Sequence, residues 1–294
     1  MTKGRFILSL DCEGKWGIAD HLRPAGHAAL TTARLQRAYS DICELLDRQE
    51  IPSTFAVVGL FALSPDQLRA LPVDEIAARF PYCKAPMDAI KSGDCDGWNG
   101  EWLRPMLGAE HEWASHGITH TPYDQMSADD VLFEHSLVES TAGQTVVFPR
   151  NRVDHIDTLD QLGIVGYRTF AQRGKIARLL GEFNIVERSE RDLARTPARM
   201  IAIPAGHFVN WKSGARKIVP VAMSRQRAAN MLDHAAKTGG VVHFWTHPEN
   251  IASAPATLDV LTAIVEEVSV RVRRGDIIVQ TQIDYVQSQQ SESV

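Results

Sequence analysis

Short apolar runs recur along the chain, each stopped by polar residues, and several are followed by a segment with helical spacing. Phe6-Ile7-Leu8-Ser9-Leu10 halts at Asp11-Cys12-Glu13-Gly14, which predicts a buried strand carrying two carboxylates at its C-terminal end. From Thr31 to Arg48 the apolar positions Leu35, Ala38, Ile42, Leu45 and Leu46 fall at helical intervals, with Thr31 or Thr32 as the cap. Thr54 to Val58 is the next apolar run. Strand, helix and strand at this spacing make a parallel βαβ unit. The alternation returns with a strand over 109–115, a helix over 127–140, a strand over 145–148 and a helix over 155–162 closed by Gly163. Farther on come a helix over 225–237 ended by Gly239-Gly240, a strand over 241–245, an amphipathic helix over 257–274 and a final strand over 277–279.

Two stretches break the pattern. Between Ser64 and Pro105 the prolines at 65, 72, 81, 86 and 105 and the polar, glycine-rich run 92–100 indicate an insertion loop after a short helix over 73–80. From Tyr167 to Pro220 the signal is weak. Strands are expected at 166–170 and 200–204, and Gly206 to Trp211 reads as a mixed aromatic and polar loop lining a cleft. Residues 287–294 read as a frayed polar tail. With no internal repeat or clear linker, residues 1–286 are expected to form one domain with an insertion around 64–105.

Composition excludes some classes. Of 294 residues, 44% are hydrophobic and 23% charged, which suits a globular core. The net charge of −5 lacks the basic surplus of a nucleic-acid binder. No apolar run is long enough for a membrane span, and the first residues lack the features of a secretion signal, so the chain is expected to be cytoplasmic. Cys12, Cys43, Cys83 and Cys95 form no C-x-x-C pair and read as free thiols.

The chemistry gathers just past the strand ends. His116-Gly117-Ile118-Thr119-His120 places two imidazoles four residues apart, able to close on one cation. His111-Glu112 opens like H-E-x-x-H, but position 115 is serine, so the zinc-protease helix is absent. Asp11 and Glu13 share a strand face. Arg150 and Arg152 follow the strand at 145–148, and His247 follows the strand at 241–245. Two histidines with one carboxylate form the three-ligand set of a catalytic zinc site, leaving a position for water. A second carboxylate can then take a proton and a further histidine can give one. Trp16, Trp98 and Trp211 sit in glycine-rich or aromatic loops and are candidate substrate walls, with packing as the alternative reading for Trp16. A cysteine hydrolase built on Cys12 has no supporting nucleophile signature.

Leu8 to Gly14, His116 to His120, Phe148-Pro149-Arg150 and Trp245-Thr246-His247-Pro248 fall in the order of the polysaccharide deacetylase superfamily, the chitooligosaccharide and peptidoglycan N-deacetylases. Residues 5 to about 285 resemble that superfamily, and more closely its divergent intracellular branch found with bacterial surface-polysaccharide genes. The resemblance implies an α/β fold, a distorted (β/α) barrel with about seven parallel strands. It implies Asp11 as general base, Glu13, His116 and His120 as metal ligands, Arg150 (or Arg152) orienting the base, and His247 as acid. The usual adjacent Asp-Asp is replaced here by Asp-Cys-Glu, which leaves the roles of Asp11 and Glu13 exchangeable. Cys12 should point away from the metal, and His243 reads as a core histidine. For the family's Asp-Trp motif the candidates are Asp192 and Trp211.

The activity so implied is that of a hydrolase with one divalent metal, zinc before others. It would remove an N-acyl group, acetyl or formyl, from an amino-sugar substrate in surface-polysaccharide biosynthesis. A sugar nucleotide or lipid-linked sugar is the expected partner, with no nucleic acid. The alternatives are an allantoinase-like amide hydrolase and an inactive carbohydrate-binding barrel.

Overall fold

A computed structural model describes residues 3–138, 143–170, 183, 189–191 and 200–291. Its first strand, β1 (Gly4–Cys12), sets the frame. Successive side chains on a strand point to opposite faces. Phe6, Leu8, Leu10 and Cys12 accordingly join the large core beneath the helices. Ile7 faces the other way and packs with Ile203, Val241, Tyr285 and Val286. On Ile7's face of the strand, position 9 is serine and position 11 aspartate. The inward face therefore turns from apolar to polar toward its C-terminal end, where parallel α/β folds build their sites.

The remaining strands are β2 (Thr54–Val57), β3 (Glu112–Ser115), β4 (Thr145–Val146), β5 (Gly166–Arg168), β6 (Ile201–Ile203), β7 (His207–Phe208), β8 (Val241–Thr246) and β9 (Ile277–Val279). Their ladders are parallel, in the order β6-β5-β4-β3-β2-β1-β8-β7. β9 pairs with Gly4–Phe6 of β1, while β2 takes Ser9–Cys12. The end strands β6 and β7 are consecutive in sequence, joined by residues 204–206. A joint that short reaches only about 13 Å. It draws the two ends of the sheet together, so the sheet curls into a distorted (β/α) barrel. The ninth strand beyond the sequence reading is β7, two residues inside the stretch read as a loop.

Helices Thr32–Gln49, Val221–Thr238 and Thr257–Arg273 cover the outer face. Thr31 caps the first through Arg34 N, and Gly239 ends the second in the left-handed conformation. The segment 64–105 has the helix expected over 73–80, and helices also stand on either side of it where loop was expected. It holds the short helices Pro65–Ala70, Val73–Arg79 and Lys84–Lys91, which bury Leu68, Ile76, Met87 and Ile90. The first part of the predicted tail is helical: the helix Gln282–Ser291 carries on past 287 and buries Gln289, and residues 292–294 lie outside the described residues. That helix is tied to the barrel floor by Glu112, whose carboxylate accepts from Thr54 Oγ1 (2.7 Å), Thr145 Oγ1 and Ile283 N (3.0 Å).

Candidate active site

At the C-terminal ends of the strands lies a cleft of about 400 Å³ bordered by Asp11, Glu13, His116 and His247. His116 follows β3 directly. Its Nδ1–H donates to Val147 O at 2.7 Å, which leaves the Nε2 lone pair free. That nitrogen lies 3.0 Å from Glu13 Oε1, and His120 Nε2 lies 3.0 Å from the same oxygen. His120 reaches this position with a left-handed backbone, φ 61°. Behind the turn, the buried carboxylate of Glu134 accepts from Thr119 N (3.1 Å) and Thr119 Oγ1 (2.8 Å). Burial pushes the Glu134 carboxyl up to about 7.

Glu13 is held from below. Glu249 Oε1 accepts from Glu13 N (3.0 Å), Gly14 N (2.6 Å) and Tyr39 OH (2.9 Å). Burial, and then the Glu13 charge, push the Glu249 carboxyl up to about 7. Gly17 leaves room for Glu13: a Cβ there would overlap the Glu13 carboxylate.

Asp11 is 2% exposed and receives both ends of one guanidinium, Arg168 Nη1 to Oδ1 and Nη2 to Oδ2, each at 2.7 Å. Burial alone would raise the Asp11 carboxyl. The Arg168 charge and the neighbouring His116 and His247 outweigh it and hold it below its ordinary value. His247 Nε2 stands 3.5 Å from Glu13 Oε1 and 3.9 Å from Asp11 Oδ2. Burial opposes its charge, but Glu13 and then Asp11 raise the imidazole to about 9.

The three atoms Glu13 Oε1, His116 Nε2 and His120 Nε2 suit a cation. All are electron-pair donors, and His116 spends its ring proton on a backbone carbonyl. Burial, partly offset by Glu13, lowers the His120 imidazole and favours its neutral, ligating form. A second grouping, Asp47, Glu110 and His111, does not suit one. Ser53 N donates to His111 Nδ1 at 3.1 Å, so the neutral ring carries its proton on Nε2, the atom facing Asp47 at 3.2 Å.

No family's sequence profile matches the chain, and no curated protein matches it. Solved structures do. The "putative polysaccharide deacetylase" of Mycobacterium smegmatis superimposes with a TM-score of 0.62 at 16% identity, covering 100% of this chain and 93% of that one. The chain has the polysaccharide deacetylase fold. The Xyl-CE4 domain of a multidomain xylanase from the hindgut metagenome of Trinervitermes trinervoides matches with a TM-score of 0.46 at 14% identity, covering 98% and 92% of the two chains. A Streptococcus mutans CE4 esterase matches at 0.37 and 14%, covering 95% and 86%.

Within this polysaccharide deacetylase fold, Asp11, Glu13, His116, His120 and His247 come together as the sequence reading placed them. The arginine does not. Arg150 lines the cleft but donates to Gly17 O (2.9 Å) and Asp20 Oδ1 (2.6 Å), and its rival Arg152 pairs with Asp124 (2.9 Å). Arg168, on β5, takes the place beside Asp11. An arginine inside a short apolar strand was the available signal, because a buried arginine needs a carboxylate partner. Glu249 and Glu134 were also missed, since each holds backbone on another element, more than 230 residues away for Glu249 and 15 away for Glu134.

The tryptophans divide. Trp211 lines the cleft. Trp16 and Trp98 are 2% and 1% exposed and pack edge to face at 5.6 Å, with Trp16 Nε1 donating to Trp98 O at 2.8 Å. They are core, and the cause is the run 92–100. It folds back as a brace behind the first loop, with Lys15 N donating to Gly97 O and Lys15 Nζ to Asp96 O. Cys12 points away from the cleft, and burial pushes its thiol well above its ordinary range, opposite to what a nucleophile needs. His243 is fully buried, as expected of a core histidine. Asp192 lies outside the described residues. Among the described residues no helix is long and apolar enough to cross a membrane.

Proposed function

We propose that this protein is a metal-dependent hydrolase that removes an N-acyl group, acetyl or formyl, from an amino-sugar substrate, with membership of the polysaccharide deacetylase superfamily and a role in surface-polysaccharide biosynthesis. The observation that carries the reading is the convergence of His116 Nε2 and His120 Nε2 on Glu13 Oε1, with Asp11 and His247 beside them. Glu13, His116 and His120 would hold the divalent ion, zinc being the natural choice for this donor set. Such an ion supplies Lewis acidity, lowering the pKa of a water and polarising the acyl oxygen.

The chain's own groups do the rest. Asp11, kept ionised by Arg168, accepts the proton of the attacking water. The water oxygen bonds to the acyl carbon, and the C–N bond breaks as His247 delivers a proton to the departing amine. The products are a carboxylate and a free amino sugar. Trp211, Phe148, Leu30 and Ile18 line the cleft and supply apolar surface against which a sugar ring can lie.

Pure protein loaded with zinc and tested on acetylated and formylated amino-sugar nucleotides should release acetate or formate, with about one metal per chain by elemental analysis. His116→Ala and His120→Ala should lose the metal. Asp11→Asn should keep it and lose turnover by about 10²-fold or more, the scale of general-base catalysis. Full metal content in the double histidine variant, or full activity in Asp11→Asn, refutes the proposal.

A further inference from the structure

Behind Arg168 runs a row of buried polar atoms that the proposed chemistry does not use. Ser9 and His243 are both fully buried, on the adjacent strands β1 and β8. His243 Nδ1 lies 2.7 Å from Pro204 O, and a carbonyl has no proton to give, so Nδ1 carries it. His243 Nε2 lies 2.8 Å from Ser9 Oγ. Burial, then the Arg168 charge, hold this imidazole down at about 3, so it is neutral and Nε2 is a bare acceptor. The Ser9 hydroxyl must therefore donate to it. That turns the Ser9 lone pairs toward Arg168 Nη1, which donates to Ser9 Oγ at 3.0 Å while also donating to Asp11 Oδ1.

We propose that Ser9 and His243 are positioning residues: with Arg168 they form a chain of hydrogen bonds of one fixed direction, from Arg168 through Ser9 and His243 to Pro204 O, that holds the guanidinium flat against Asp11. The proposal rests on the reading of Asp11 as general base. Each link has one allowed polarity, so the guanidinium gains a defined place for Nη1. Asn151 Oδ1, accepting from Nη2 at 3.3 Å, supplies the other side, and the Trp245 ring, 4.6 Å away, supports one face. The far end of the chain is Pro204, in the joint that closes the barrel between β6 and β7. At Gly206 in that joint, a Cβ would lie 2.8 Å from His243 O and 2.9 Å from its ring, so the joint also grips the histidine by contact. The closure of the barrel thereby fixes the base. An apolar filler at positions 9 and 243 would pack the interior but leave Nη1 one acceptor short.

Two measurements test this. Nitrogen-15 NMR of the full chain labelled at histidine, between pH 6 and 8, should show His243 with a protonated Nδ1 and an unprotonated Nε2. A proton on Nε2 overturns the chain. Hydrolysis of 4-nitrophenyl acetate by the zinc-loaded enzyme needs the base but no protonation of its leaving group. Ser9→Ala and His243→Leu should lower kcat by about 10- to 10²-fold, the cost of a slightly misplaced catalytic group, with KM and metal content little changed. His243→Gln, whose amide oxygen can accept from Ser9, should recover most of the loss. Wild-type kcat in His243→Leu, or equal losses in the Leu and Gln variants, overturns the proposal. Should the histidine variants fail to fold, Ser9→Ala, which deletes one atom, decides by the same kcat and KM split. A wild-type enzyme inert toward both the ester and acylated amino sugars removes the hydrolase reading. The chain is then judged on crystals of Ser9→Ala, where a guanidinium displaced from Asp11 upholds it and an unmoved one overturns it.

Discussion

Replacing Arg168 by leucine should change both the stability of the protein and the sign of its pH dependence. Asp11 and Arg168 are 2% and 1% exposed at their side chains and meet through two 2.7 Å bonds. Removing one member of a buried pair leaves a charge without compensation, at a cost of about 3–5 kcal/mol. For a chain of this size that lowers Tm by on the order of 10 °C. In the wild type the folded Asp11 carboxyl lies below its ordinary value of 3.8. Its contribution to stability is then present above pH 3.8 and is lost as pH falls through the lowered value. Without Arg168 the largest single influence left is burial, opposed by the His116 and His247 charges, and the carboxyl is expected to rise above its unfolded value. Stability from this group is then present below 3.8 and lost as pH rises through the raised value. The gap between wild type and Arg168→Leu should therefore be widest near pH 7, narrow as pH falls toward 3.8 and the variant's Asp11 takes up its proton, and close only below 3.8, as pH falls through the lowered wild-type value. Urea unfolding of both metal-free proteins at several pH values measures it. Asp11→Leu combined with Arg168→Leu should recover much of the loss, because an apolar pair leaves no buried charge. A gap below about 1 kcal/mol, or one that does not vary with pH, would refute the argument.

Gly17→Ala should abolish zinc binding while the fold survives, since the new methyl occupies the space of the Glu13 carboxylate; titration with zinc followed by elemental analysis checks this, and unchanged affinity would show that Glu13 has another way to reach the histidines. Glu112→Leu should cost roughly 3 kcal/mol by leaving Thr54, Thr145 and Ile283 N without their shared acceptor, at the opposite end of the strands from the cleft. Zinc affinity should be unchanged in that variant, and a loss of metal with intact stability would contradict the separation.

Local patterns decided much of this protein. The apolar run into Asp11-Cys12-Glu13 determined a strand, and its period of two determined that Asp11 shares a face with Ser9 while Cys12 points outward. The spacing of His116 and His120 and the polar stop after β8 announced a site at one end of the barrel. These features are legible because they depend on neighbours within a few residues. What depended on distant residues was not. Arg150 follows its strand just where an orienting arginine was sought, yet the curl of the sheet carries it to Asp20 and brings Arg168 to Asp11 from across the barrel. Trp16 and Trp98 resemble a substrate wall until the 92–100 run folds over the first loop and buries them against each other. Glu249 and Glu134 each hold backbone N–H groups, which have no identity in a sequence, together with one hydroxyl, Tyr39 and Thr119 respectively. A buried charge or amide must find its partner in space, and only closure of the barrel, through a joint of three residues, settles which partners are within reach.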